Sequence, residues 1–466
     1  MALTAQESIR DELSRDFAGE LIAPGDAGYD EARRVWNGAI DRRPSLIARC
    51  TGTADVIAVV KCARANEQDV AIRGGGHSNA GHSMIDGGIV IDCSPMKGIR
   101  VDPSSRTATA QPGVVWGELD RETQAFGLGV TGGEVSDTGI AGLTLGGGIG
   151  WLKRMYGLTC DNLLSVDLVT AEGELIRASE NENAELYWGV RGAGHNFGVV
   201  TQFEYRLHPV GPLVLAGFIL YPLDRAADVL RFTRDFCDEA PDEVTVTSAI
   251  ITAPPAPFVP EALHNKPVLA VVPCYVGPVE EGERALRQLR EYGPPAADLV
   301  EPTPYVTVQR FIDETYPPGR RIYIKSEWLR GLEDGAIDKA IEGAERFDTP
   351  LSQIIFHQMG GALARVPDDA TAFDGRDAKY MATIIAVWEA PDDDREPHVT
   401  WARELWEQMK PWSTGGSYVN HMMDEGDARV HAAYGHGKYE RLLALKNMYD
   451  PTNFFRLNQN IKPTAG

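Results

Sequence analysis

The residues of this 466-residue chain that could do chemistry are gathered in its first half and near its end. Glycine crowds into three stretches: RGGGHSNAGHS from Arg73, TGGEVSDTGIAGLTLGGGIGW from Thr131 and RGAGHNFGVV from Arg191. Glycine lets backbone N–H groups approach an anion closely and adopts φ values closed to other residues. One such stretch reads as a turn; three of them between Arg73 and Val200 read as a cradle for a phosphate-bearing ligand. A G-x-G-x-x-G string does occur at Gly127, Gly129 and Gly132, but in the wrong context. The helix-like GELDRETQAF precedes it and no helix pattern follows, whereas a dinucleotide fingerprint joins a strand to a helix. With no P-loop and no GxSxG elbow, a nucleotide triphosphatase and an α/β-hydrolase both lose support.

Reactive side chains sit in and beside these stretches. His77 and His82 lie in the first, and Cys160 follows the second in YGLTCDNL. Taken singly, a loop histidine is a hydrogen-bonding residue and a cysteine a buried thiol. In STGGSYVNHM an extended backbone puts Tyr418 and Asn420 on one face, with Val419 and His421 on the other. In HQMGGALAR, alternation puts His357, Met359 and Arg365 on one face and Gln358 on the other.

These residues need elements to hold them. Thr53 can cap a helix in which Val56, Val59, Val60 and Ala63 recur at helical spacing, and VAIR then reads as a short buried strand. That strand delivers the chain directly to Gly74. Further short β-like runs, GGIVID and ATAQPG among them, alternate with turns to about residue 208, an α+β texture without a regular βαβ series. Beyond Pro209 come longer strand candidates: LVLAGFILYPL, EVTVTSAII, PVLAVVPCYV, RRIYIKSEW, LSQIIFHQ and YMATIIAVW. Interleaved with charged helix-like segments, they predict an antiparallel sheet covered by helices. Proline-rich stretches near 253–260, 294–304 and 317–318 punctuate this part. Past residue 411 a helical ERLLALKNMY leads to DPTNFFRLNQNIKP, a tail that needs a surface to dock on. The chain is too long for one core. The expected division is therefore 1–208, 209–410, and a return of 411–466 to the first domain.

Composition narrows the class. Hydrophobic residues at 43% and charged residues at 24% are those of a globular chain. A net charge of −22 opposes nucleic acid and anionic membranes. The opening MALTAQESIRDELSRDF lacks the basic start and apolar core of a signal peptide, and no segment is apolar enough to span a bilayer, so a cytoplasmic location is expected. Six cysteines, at 50, 62, 93, 160, 237 and 274, form no CxxC pair and no zinc spacing. They are expected to be buried thiols without disulfides, and no metal is expected.

Four motifs together carry a resemblance: RGGGHS at Arg73–Ser78, TLGGGIGWLKRMYGLTCDNL at Thr144–Leu163, GHNFGVV at Gly194–Val200 and YDPTNFF at Tyr449–Phe455. In this order and almost end to end, the chain resembles the berberine bridge enzyme-like flavoproteins of the vanillyl alcohol oxidase superfamily. The resemblance implies a two-domain FAD-binding fold with an antiparallel-sheet substrate domain. It implies FAD attached through two side chains, His77 to the flavin 8α carbon and Cys160 to carbon 6. Around the cofactor it puts Arg73, Gly74, Gly75, Gly76, Ser78, Gly81 and His82 from the first motif. Thr138, Gly139, Gly142, Gly146, Gly147, Gly148, Gly150 and Asn162 follow, then Gly198, Val199 and Val200, and finally Asn420, Asn458 and Asn460. His195 stands where bacterial members more often have glycine.

The same resemblance implies chemistry. The Tyr-x-Asn pattern makes Tyr418 the base, which requires a stabilised phenolate or proton loss in concert with hydride loss, since a free phenol has pKa ~10. His357, Met359 and Arg365 become substrate-facing. Thr138 takes the position that gates oxygen access to the flavin. A glutamate base beside the arginine, known in some plant relatives, is missing from this motif. The expected activity is oxidation of an alcohol, sugar or secondary metabolite, with hydride passing to flavin and molecular oxygen as final acceptor. A dehydrogenase using another acceptor, and a flavin- or carbohydrate-binding protein without turnover, are the alternatives.

Overall fold

In the computed structural model, which describes residues 5–347, 349–389 and 394–464, VAIR forms the strand Val70–Arg73. It pairs in parallel with Ile89–Asp92, which pairs in parallel with Leu46–Arg49; Glu20–Ile22 closes this four-stranded sheet on an antiparallel edge. The helix Thr53–Ala65 packs Val56, Val59, Val60 and Ala63 into the same core as Leu46, Val70 and Ile91. Its N-cap is Gly52 and not Thr53, the residue expected to cap, and no side chain bonds the cap. Asp55, in the helix's first turn, ties down the preceding loop instead: its carboxylate accepts from both the Thr51 amide and hydroxyl at 2.8 Å.

A five-stranded antiparallel sheet follows, ordered Ile99–Asp102, Thr107–Ala110, Val199–Arg206, Leu163–Val169, Leu175–Ser179. The helix Trp116–Gln124 precedes only the two-residue strand Leu128–Gly129, so the G-x-G-x-x-G string opens no helix. Residues Val419 to Ile461 share one hydrophobic core with residues 108–207. The YDPTNFF motif explains part of that junction. Asp450 accepts from the amides of Phe454 and Phe455 and from Lys446 Nζ at 2.7 Å, and Lys446 also donates to the carbonyls of Asn196 and Phe455. Both side chains of the pair are fully buried, and every Lys446 donor has an acceptor, which is what a buried ammonium requires.

The longer runs form the third and largest sheet. Its order is Ala297–Asp298, Ile219–Pro222, Pro267–Tyr275, Val244–Thr252, Gln353–Gln358, Tyr380–Trp388, Arg321–Leu329. The helices Ala226–Glu239, Asp334–Ala344 and Arg395–Met409 cover one face, sharing a core with Ile354, Phe356, Ala382, Ile384 and Tyr323. Strand alternation sends the intervening side chains to the other face. There Ile324, Ile355, His357, Met381, Thr383 and Ile385 all line one cavity, whose remaining wall is the glycine-rich loops. No helix among the described residues is long and apolar enough to cross a membrane. All six cysteines are buried and free.

Candidate functional site

The strand Val70–Arg73 ends at the cavity, so Gly74, Gly75 and Gly76 enter it as loop backbone. Gly75 lies so close to Gly139 that a Cβ would stand 2.5 Å from Gly139 Cα and N. Arg73, His77, Ser78, His82, Thr138, Gly139, Gly142, His195, Gly198, Val200, Tyr418, Asn420 and Asn458 line the same space. His77 is held from three sides. Its Nε2 lies 2.9 Å from Asp137 Oδ1, its Nδ1 lies 3.5 Å from Thr138 Oγ1, and its ring stacks on Trp36 with centroids 4.9 Å apart. Asp137 thus stands beside Nε2 and Thr138 beside Nδ1, which fixes the ring's place at the cavity wall. His82 is kept neutral, its pKa lowered to about 4 by burial and by Arg42. His195 bonds the Gly142 carbonyl through Nε2 at 3.0 Å, and burial lowers its pKa too.

Tyr418 reaches the cavity from a different segment. Its hydroxyl oxygen accepts from Asn420 Nδ2 at 2.8 Å and from the Gly148 amide at 3.1 Å. Those donors favour the phenolate, but burial outweighs them and pushes the phenol above its ordinary pKa. Residues 419–421 form a short 3-10 turn and not the extended segment expected. The turn brings His421 to the cavity with Tyr418, ring centroids 5.0 Å apart, and burial lowers the His421 pKa to about 3.

Several expected positions fall elsewhere. Cys160 does not line the cavity: it is buried among Leu158, Trp328, Met359 and Phe373, and burial followed by the Asp161 charge raises its thiol pKa. Asn162 is structural, donating to the Tyr156 and Leu158 carbonyls at 2.9 Å and pairing with His208 Nε2 through Oδ1. The glycines Gly146, Gly147, Gly148 and Gly150 serve close packing, since a Cβ there would strike Asn420, Phe373, Thr159 or the Gly132 carbonyl. Gly81 packs against Ile40, and Val199 turns into the core beneath the four-stranded sheet. Asn460 lies outside the lining, although its Oδ1 is a buried atom without a partner. Of the three substrate candidates only His357 faces this cavity. The strand ends at Gln358, so alternation stops. Met359 and Arg365 line a separate cleft with Gln358, and Arg365 sits in a short helix, exposed and paired with Asp242.

Glu134, Lys153 and Trp36 escaped the sequence reading. Glu134 Oε1 lies 3.4 Å from His357 Nδ1. Burial opposes its charge, yet His357, Lys153 and His421 hold the carboxyl below its usual range. Burial lowers the Lys153 pKa to about 8, against the pull of Glu134. The signal for Glu134 was available as a carboxylate inside a glycine stretch; nothing in the sequence singled out Trp36. Elsewhere, His431, His436 and Glu440 bring ligand atoms within 4.8 Å of one another, His431 half-buried with its ring beside that of Tyr439.

The cavity fits a flavin nucleotide on its own terms. Arg73 Nε, Ser83 Oγ and Asn458 Oδ1 line it as buried polar atoms with no hydrogen-bond partner, which buried groups rarely tolerate without a ligand. They face a glycine backbone packed too tightly for any side chain at Gly75.

Comparison with known proteins agrees. The FAD binding domain model matches residues 44–179 and the berberine and berberine-like model residues 417–462. An FAD-linked oxidoreductase of Dictyostelium discoideum is 32% identical over 461 residues, 98% of this chain and 97% of that protein. The (R)-6-hydroxynicotine oxidase of Paenarthrobacter nicotinovorans is 32% identical over 465 residues, 96% and 97% of the two chains. The crystal structure of 6-hydroxy-D-nicotine oxidase from Arthrobacter nicotinovorans superposes with a TM-score of 0.87 at 31% identity, covering 96% of this chain and 98% of that one. A chitooligosaccharide oxidase reaches the same TM-score at 22% identity, a likeness of fold, covering 98% of this chain and 100% of that one. Fold and cavity together define an FAD-linked oxidoreductase. More narrowly, the chain belongs to the berberine bridge enzyme-like family.

Proposed function

We propose that this FAD-linked oxidoreductase is an oxidase of a small-molecule alcohol or related C–H centre, with molecular oxygen as electron acceptor. The observation that carries the reading is the meeting of His77 and Tyr418 in one cavity, the first oriented by Asp137 and Trp36, the second by Asn420 and Gly148. When bound, flavin supplies a two-electron acceptor that takes hydride from the substrate carbon and passes the electrons to oxygen, giving hydrogen peroxide. His77 is the residue to hold it, its ring placed by Asp137, Thr138 and Trp36. The second link expected of Cys160 has a different setting: the residue lies in the buried apolar cluster that also holds Ile149, Met381 and Tyr418 of the cavity wall, and burial raises its thiol pKa.

Tyr418 then takes up the substrate proton. It would do so from the phenolate, whose charge the Asn420 and Gly148 donors meet, taking the substrate O–H proton as hydride leaves the carbon and ending as the neutral phenol; burial is what that phenolate must overcome. Thr138, beside His77, leaves a small side chain at the oxygen-gating position.

Acid precipitation of the purified protein tests the attachment. Flavin should stay in the pellet for wild type and Cys160→Ala and pass to the supernatant for His77→Ala. Flavin released from wild type would remove the covalent reading. A panel of alcohols, sugars and polyketides assayed for peroxide, with anaerobic flavin bleaching in parallel, tests the activity. Bleaching without peroxide would make the protein a dehydrogenase, and no bleaching by any compound would count against turnover.

A further inference from the structure

The substrate end of the cavity has two kinds of wall. Ile312, Ile324, Ile355 and Ile385 line it with aliphatic carbon and belong to one apolar cluster with Tyr316. The Tyr316 hydroxyl is already committed, donating to Gln353 Oε1 at 2.6 Å. Such a surface suits the flat or ring-shaped body of an apolar ligand.

Set into this wall is a polar pair. Glu134 Oε1 and His357 Nδ1 are both buried, both lack a hydrogen-bond partner and stand 3.4 Å apart. Buried polar atoms without hydrogen-bond partners are costly, so this pair is suited to take a polar group of a ligand. His421, the other imidazole in the group, lies 3.5 Å from Thr383 Oγ1 through its Nδ1 and is neutral at ordinary pH. Lys153 is wholly buried, with the Gly150 carbonyl 3.5 Å from Nζ. Lys153 stands outside the cavity lining, so of Glu134, His421 and Lys153 it is Glu134 that carries charge into it.

An acceptor and a donor at this separation match one hydroxyl, which gives its proton to Glu134 and receives a hydrogen bond from His357. An ammonium only donates, and would leave the imidazole N–H unmatched. An oligosaccharide carries many hydroxyls, most of which the isoleucine wall would leave unpaired. We propose that Glu134 and His357 anchor a single hydroxyl on an otherwise apolar, ring-sized substrate, so that hydroxylated aromatic and polycyclic compounds, and not oligosaccharides, are the substrate class. This inference rests on the oxidase reading of the cavity and names the substrate class it serves.

The test is calorimetric titration of the flavin-loaded holoenzyme with 2-naphthol, 2-methoxynaphthalene and cellobiose, after flavin content has been read from the visible spectrum. 2-Naphthol should bind at least about tenfold more tightly than its methyl ether, as expected for one hydrogen bond to a charged group, and cellobiose should not bind. Glu134→Gln should abolish the naphthol preference and leave the ether's affinity unchanged. Equal binding of naphthol and ether by wild type, cellobiose binding as tightly as naphthol, or a full naphthol preference in the Glu134→Gln protein would each overturn the anchor. The wild-type series decides the matter even if the variant fails to fold. A spectrum without flavin would instead fail the oxidase reading, so the two failures are distinguishable.

Discussion

Tyr418 shows how burial and hydrogen bonding set a side chain's role against each other. Two donors already point at its oxygen, so the phenolate would be met without reorganisation, yet desolvation keeps the proton on. Tyr418→Phe keeps the ring and deletes only the hydroxyl. If the phenol moves the substrate proton, anaerobic single-turnover flavin reduction should fall by ~10²- to 10⁴-fold with little change in substrate affinity. Near-normal reduction would shift the role to His357 or His421. Thr138→Leu should slow reoxidation of the reduced enzyme in stopped flow while sparing its reduction, because the larger side chain crowds the His77 end of the cavity; equal reoxidation rates would remove Thr138 from the oxygen path. At this scale the sequence was legible where motif and geometry coincide, as at His77, Tyr418 and His357. It misled where a residue's type suggested chemistry that its surroundings refuse. Asn162 and Arg365 are a loop fastener and a surface ion-pair partner, and only the neighbours supplied by distant segments reveal this.

Among elements, the strand pattern was legible because alternation and β-branched runs are local signals. Every long run beyond Pro209 entered the nine-stranded sheet, LVLAGFILYPL as two strands, Leu213–Ala216 and Ile219–Pro222. What was not legible was any position that depends on where an element stops. Alternation carried past Gln358 misplaced Met359, and extended geometry carried through residues 419–421 misplaced His421. The glycine stretches were legible as special backbone, but not which glycines face the ligand. Two substitutions separate these roles. Gly75→Ala puts a Cβ 2.5 Å from the Gly139 backbone, which forces the two loops apart, and should lower thermal stability by about 1–3 kcal/mol together with flavin content. At Gly142, which lines the cavity, a Cβ would meet nothing within 4 Å. Gly142→Ala should therefore leave thermal stability near wild type while reducing flavin content. Matching losses of stability in both variants would show that Gly142 is also a packing glycine.

Across the whole molecule, one buried carboxyl links the first sheet region to the substrate domain. Asp120 accepts from Gln309 Nε2 at 2.8 Å, and the same amide donates to the Gly133 carbonyl beside Glu134. Burial pushes the Asp120 pKa up to about 7, against the bond from Gln309. A folded pKa above the unfolded value of 3.8 means that the native state holds a proton that the unfolded state gives up. That contribution is fully present below about pH 4 and is lost as pH rises through 7, a difference of about 4 kcal/mol at one proton per 1.36 kcal/mol and unit. Asp120→Asn, neutral at every pH, should match wild type near pH 4 and exceed it in urea-unfolding stability at pH 8. A constant gap across this range would show that Asp120 ionises freely.

The cavity also sets a schedule for biogenesis. Its lining runs from Trp36 to Gln459, and the core shared with residues 108–207 is completed by Val419 to Ile461. A ribosome adding about 5–20 residues per second needs on the order of tens of seconds to pass from one part to the other. Throughout that interval the first region waits with apolar surface uncovered and no completed pocket. A complete cofactor pocket therefore forms only after the last of these segments has been made.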